Sequence, residues 1–132
     1  MEIACYMNNP KSKQERGLIK GALRRVFSRS DLRKSVIEKS IIKGYKDPKR
    51  KAVKFWVKCA ECGKLEAKSN VQVDHKAPVI KVTESLDDLT WDQLVDRIWC
   101  DEKNLSVVCK PCHQTKTKAE NKERRAFKKG IK

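Results

Sequence analysis

Apolar residues in the first third of the chain recur at helical spacing. Leu18, Ala22 and Val26 lie four apart, with Leu23 and Phe27 beside them and Lys and Arg between; a 3.6-residue period places such positions on one side of a helix. Residues 10–43 are therefore predicted to be helical. Ser30 is the expected N-cap of a second, short helix carrying Leu32, Val36 and Ile37. The run Gly44-Tyr45-Lys46-Asp47-Pro48-Lys49-Arg50-Lys51 breaks the pattern with Gly and Pro, and the edge of the next unit is placed there. Beyond it the period changes. Residues 52–58 are β-prone and run into Cys59, and Val71-Gln72-Val73-Asp74 alternates apolar and polar as a half-buried strand does. Thr90-x-x-Gln93 is a capping box opening a short helix whose Trp91, Leu94, Val95 and Ile98 form an apolar stripe, predicted to be core. Leu105 to Val108 is short and apolar, and from Pro111 to near Gly130 the chain is basic and helix-prone. The expected class is α+β. A basic helical extension covers 1–51, a central unit covers 52–120 with a helical insert near 84–100, and a basic tail covers 121–132.

Composition adds a need for a staple. With 39% hydrophobic against 37% charged residues, 132 residues offer little apolar surface for a core, and six cysteines could supplement it. No apolar stretch suits a signal peptide or a membrane span, so a soluble, reducing, cytoplasmic setting is expected. There, paired cysteines hold metal more often than they form disulfides. The net charge of +15 is uneven. Residues 1–58 carry 17 basic and 5 acidic groups, net +12; residues 59–113 carry 7 and 10, net −3; residues 114–132 carry 8 and 2, net +6. Two basic arms around a mildly acidic middle suit a polyanion, and nucleic acid is the favoured partner over a merely soluble basic surface.

Cys59-x-x-Cys62-Gly63 and Cys109-x-x-Cys112 are like-spaced knuckles separated by 46 residues. Each turns two thiolates toward one ion, and together they complete a tetrahedral four-thiolate zinc site with no open position, hence structural. Disulfides or a redox pair are the other readings. Cys5 and Cys100 lie outside both knuckles and receive no role.

The two histidines fall beside this staple. His75 follows Asp74 at the end of the predicted strand, and His113 follows Cys112. Adjacent strand residues face opposite ways, so a bend after Asp74 is expected to bring both to one phosphate. Asp74 offers a hard oxygen ligand, His113 a second ligand, and His75 a base with an ordinary pKa of about 6.5. One divalent ion on Asp74 and His113 would keep open positions for water and phosphate. Taken singly, an Asp-His pair in a turn is usually a surface feature; the combination favours chemistry.

Cys59-x-x-Cys62, Val73-Asp74-His75-Lys76-Ala77-Pro78 and the run from Asn104 to Thr117 together resemble HNH endonucleases with a four-cysteine zinc site, most of all the small free-standing HNH proteins of bacteriophages. The resemblance spans roughly residues 55–120. It implies a ββα-metal fold and a metal-dependent DNA endonuclease, leaving 5′-phosphate and 3′-hydroxyl ends. By position it makes Asp74 and His113 ligands of the catalytic ion, His75 the general base, and Asn104 the residue that holds the loop orienting His75. Family members with a further histidine four residues on have a third ligand; here that position is Thr117, so two protein ligands are expected. Mg²⁺ or Mn²⁺ suits them, with Ni²⁺ or Co²⁺ also accepted. Lys116 and Lys118 are candidates for phosphate contact, and Arg16, Lys20, Arg24, Arg25, Arg29 and Arg33 for backbone grip. The acidic insert is expected to pack on the domain or to meet a protein partner, for instance in a phage packaging assembly. The rival function is a non-catalytic zinc-ribbon protein that binds nucleic acid, which needs the cysteines and the charge but not Asp74, His75 or His113.

Overall fold

In a computed structural model, residues 10–131 are described; Cys5 lies outside them. Helix α1 (Lys13–Phe27) starts at a full capping box, Ser12 with Glu15, and α2 (Asp31–Ser40) starts at Ser30, whose hydroxyl accepts from the Arg33 N–H at 3.2 Å. The helical stretch expected over 10–43 is these two helices, parted at Ser28–Ser30, with the second capped by Ser30 as its sequence predicts. Strands β1 (Trp56–Lys58) and β2 (Leu65–Ala67) form one antiparallel pair, with the Cys59–Cys62 knuckle as its turn. Strands β3 (Val71–His75) and β4 (Leu105–Cys109) form a second pair. Between them runs the insert with α3 (Trp91–Ile98), and α4 (Lys110–Ile131) leaves β4 without a linker. The described residues are α+β: four α-helices and two small antiparallel sheets.

Register decides which faces are buried. Val71, Val73 and His75 stand opposite Cys109, Val107 and Leu105, while Gln72 and Asp74 stand opposite Val108 and Ser106. Directly opposed residues share a face of a sheet. The first row therefore packs into the core and ends in His75, and the second row carries Asp74. The core joins Phe27, Val36 and Ile37 from the first two helices to Val57, Val71, Leu105 and Val107 from the strands and to Leu94 and Ile98 from α3. The N-terminal helices and the insert are parts of one core.

Two apolar stripes turn out narrower than their sequence suggests. In α1, Leu23 and Phe27 face the core, whereas Leu18 and Val26 are 65% and 59% exposed. In α3, Leu94 and Ile98 are fully buried, while Val95 lies toward solvent at 37%. Each helix meets the core along a single row, and a residue one step round the helix leaves it. The acidic insert is tied down by basic side chains. Arg16 of α1 donates to the carbonyls of Leu86 and Leu89, pairs with Asp87 at 3.0 Å and lies over the Trp91 ring. Arg97 bridges Glu84 and the Val79 carbonyl. Part of the charge asymmetry is thus satisfied inside the molecule. Among the described residues no helix is long and apolar enough to cross a membrane.

Leu94→Ala should destabilise the protein by about 3–5 kcal/mol, the range for a buried leucine that leaves a cavity. Leu18→Ala, at an exposed site, should change stability by no more than ~0.5 kcal/mol. Chemical denaturation of both variants checks the contrast, and equal losses would contradict the assigned orientation of α1.

Candidate functional site

The β1–β2 turn folds onto the β4–α4 junction and brings four sulfurs together. The Sγ atoms of Cys59, Cys62, Cys109 and Cys112 all lie within 4.8 Å of one another. Gly63 has φ +75°, which closes the knuckle in a conformation that suits glycine. The Ala60 N–H donates to the Val107 carbonyl at 2.9 Å, and the Cys109 N–H donates to Cys59 Sγ at 3.3 Å. Burial opposes ionisation of Cys59, but N–H groups of Cys62, Cys109 and Glu61 aimed at its sulfur bring its pKa down to about 6. Cys112 goes the other way, up to about 12, through its contact with Cys109, desolvation and the other two sulfurs. The first thiolate is favoured and the next is opposed by it, and a divalent cation relieves that conflict. Four clustered sulfurs of this kind can hold a metal ion and are compatible with structural zinc.

At the other end of the β3–β4 ladder lies a cleft of about 390 Å³ between α1 and α4. Asp74, His75, His113 and Thr117 all line it, together with Lys20 and Arg24 of α1 and Glu120 and Arg124 of α4. The expected bend after Asp74 is absent: β3 runs on through His75, paired with Leu105. None is needed, because the cleft wraps the end of the strand and reaches both of its faces.

His75 is held from the core side. Its Nε2 lies 2.8 Å from the Ile98 carbonyl at the end of α3. A carbonyl only accepts, so Nε2 carries the proton and the lone pair of the neutral ring is on Nδ1. Phe27 packs on the imidazole at 5.3 Å and is itself braced edge-on by Trp99. Burial pushes the His75 pKa below its ordinary value; the Ile98 hydrogen bond and Asp74 pull upward, and Arg24 and Lys116 push down. Asn104 acts on the next two residues. Its carbonyl accepts from the Lys76 N–H at 2.7 Å and its Oδ1 from the Ala77 N–H at 3.0 Å, so it clamps the turn that leaves His75. Its Nδ2 also reaches Cys100 Sγ at 3.7 Å.

Asp74 faces α4. Its Oδ2 accepts from the Lys116 ammonium, which also donates to the carbonyls of His75 and Lys76. Lys116, expected to contact phosphate, is bonded to Asp74 instead. The His113 ring lines the same cleft with no hydrogen-bond partner among the described residues. Of the cations expected to grip a backbone, Lys20 and Arg24 line this cleft, Arg25 and Arg29 line a separate groove beside Trp99, and Arg33 lines another; Lys118, expected at a phosphate, is exposed on α4. Sequence reasoning missed the Ile98 carbonyl, Phe27 and Arg124. Backbone carbonyls leave no signal in side-chain patterns, and an Arg in a basic tail looks like its neighbours. No family model, curated protein or solved structure matches the chain.

Two measurements test these assignments. Elemental analysis should find one zinc per chain. Chelation, or Cys62→Ser at an exposed ligand, should lower the melting temperature by about 10 °C or more, several kcal/mol at roughly 3–4 °C each. A chain without metal, unmoved by chelator, would contradict the staple. In protein without added divalent ions, NMR titration should place the His75 pKa below the ordinary 6.5. The unfolded chain then binds that proton more readily than the folded one, so this stability is present above pH 6.5 and is lost as pH falls through the folded pKa. A ring titrating above 6.5 would contradict the arrangement.

Proposed function

We propose that the cleft hydrolyses phosphodiester bonds in DNA with the help of one divalent cation, as the resemblance to HNH endonucleases implies. The observation that carries this reading is the meeting of Asp74, His75 and His113 in one cleft, with His75 committed through Nε2 to a backbone carbonyl and its Nδ1 left as the basic nitrogen. The ring is oriented through one nitrogen, and Nδ1 has no hydrogen-bond partner among the described residues.

The donor set fits a hard divalent ion. Asp74 supplies a carboxylate that already holds one cationic group, the Lys116 ammonium, and His113 supplies an unpartnered imidazole. Asp74 and His113 would be the ion's two protein ligands; among the described residues no third His, Cys, Asp or Glu joins them in a close cluster. Thr117 lines the cleft one turn beyond His113 and is no strong ligand. When bound there, Mg²⁺ or Mn²⁺ (or Ni²⁺ or Co²⁺) supplies neutralising charge to the phosphoryl oxygens and the departing oxygen.

The chain's own groups do the rest. His75 Nδ1 takes a proton from water as its oxygen forms a bond to phosphorus. The bond from phosphorus to the 3′-oxygen breaks, its electron pair stays on that oxygen, and a proton from solvent completes the hydroxyl. The imidazolium formed is stabilised by its Ile98 hydrogen bond and by Asp74, the two influences that raise its pKa. Asn104 keeps the turn after His75 from drifting, which preserves the aim of Nδ1. Arg25, Arg29 and Lys118 would touch backbone phosphates beyond the cleft, fixing position without reading sequence.

Supercoiled plasmid with Mg²⁺ or Mn²⁺ provides the test. Wild type should nick it, and His75→Ala should reduce the rate by about 10²–10⁴, the usual contribution of a general base, with DNA binding retained. Equal cleavage by both would remove His75 from the chemistry. Binding without cleavage under every metal would favour a zinc-bearing nucleic-acid-binding protein that does not cut.

A further inference from the structure

The cleft holds more positive charge than the proposed chemistry uses. Lys20 and Arg24 project from α1 and Arg124 from α4. Lys116 engages both carboxylates of the cleft, Asp74 and, at 3.7 Å, Glu120. That leaves the side chains of Lys20 and Arg24 with no ion pair or hydrogen bond among the described residues. Arg124 is fixed from behind, donating to the Ile80 carbonyl at 2.8 Å. The crowding has an electrostatic cost. Burial, Arg24 and Arg124 push the Lys20 ammonium below its ordinary pKa, and burial and Arg124 do the same to Arg24 against the pull of Glu120 and Asp74. Like charges held together in excess of the carboxylates beside them are what an anion relieves.

The same side of α1 has been kept bare. Gly17, Lys20, Gly21 and Arg24 follow helical spacing along the cleft. A Cβ at Gly17 would meet nothing within 4 Å, and at Gly21 only the end of Arg25 at 3.5 Å. No packing demands either glycine, and each weakens the helix. What they leave is room beside two cations.

We propose that Lys20, Arg24 and Arg124 form a phosphate subsite that holds a strand phosphate neighbouring the one placed at Asp74, His75 and His113. The dimensions agree. From Gly17 to Arg24 the α1 wall is about 10 Å long at 1.5 Å per residue, and phosphates along one DNA strand advance about 3.4 Å per step along the duplex axis and lie roughly twice that apart through space. The wall therefore reaches past the reacting phosphate to the next. The identity of the ligand as a strand phosphate rests on the nuclease reading; the anion site itself does not.

Calorimetric titration of the zinc-loaded full chain, without other divalent ions, tests the subsite by comparing inorganic phosphate with thymidine 3′,5′-bisphosphate. The bisphosphate should bind about tenfold or more tightly, the value of one further charge-assisted contact. Lys20→Met/Arg24→Met should abolish that advantage, while Lys43→Met/Lys46→Met, which removes the same charge at exposed positions outside the cleft, should keep it to within about twofold. Gly17→Leu should also abolish it by filling the cleft, while melting at or above the wild-type temperature. Equal weakening by both double variants, or a bisphosphate bound no better than phosphate, would overturn the subsite. Unchanged nicking by Lys20→Met/Arg24→Met at sub-saturating DNA would also overturn it. Should wild type fail to nick yet show the expected binding pattern, the subsite stands and the hydrolytic reading falls.

Discussion

Five antiparallel pairs, from Val71 opposite Cys109 to His75 opposite Leu105, set the geometry on which both sites depend. One end of the ladder carries Cys109 into the sulfur cluster, and the other carries Asp74 and His75 into the cleft. Because side chains alternate with period two, a slip of one residue would exchange the two faces. His75 would leave the core row for the face toward α4, and Asp74 would be driven into the apolar interior. Val71, Val73, Leu105 and Val107 on the buried face resist that slip, so core packing is what aims the histidine.

The cysteine cluster acts on the same ladder from outside. It joins the turn between β1 and β2 to the point where β4 becomes α4, and α4 begins at Lys110 with nothing between. The direction of α4 is therefore set within a residue or two of the sulfurs, and His113, Lys116, Glu120 and Arg124 inherit their places from it. A metal that never touches substrate would in this way fix a wall of the cleft. The core alone is small, and this clamp is the kind of supplement that a chain with so much charge requires.

Charge is distributed by function as well as by composition. Arg16 and Arg97 are absorbed in holding the acidic insert, and Lys116 neutralises Asp74. Other cations line the cleft, the exposed helix surfaces and the loop between α2 and β1. The insert, though acidic, contributes directly to the site, since the last turn of α3 supplies the carbonyl that orients His75.

The sequence by itself determined the helices, most of the strands and the knuckle pairs, because caps, apolar periods and cysteine spacing are local signals; β2, three residues long, left no such signal. It also allowed Asn104 to be tied to the turn after His75, through a resemblance and not through any local pattern. Tertiary structure alone decided three things. It chose which row of each amphipathic helix is buried, turning Leu18, Val26 and Val95 outward although their spacing matched the core. It put Asp74 and His75 on opposite faces of an unbent strand that still share one cleft. It also separated cations that look alike in sequence, spending Arg16 and Lys116 on internal bonds and leaving Lys20 and Arg24 unpaired among the described residues. Burial, facing and ion pairing depend on residues distant in the chain, and their energies are settled only when α1, α3 and α4 meet around the ladder.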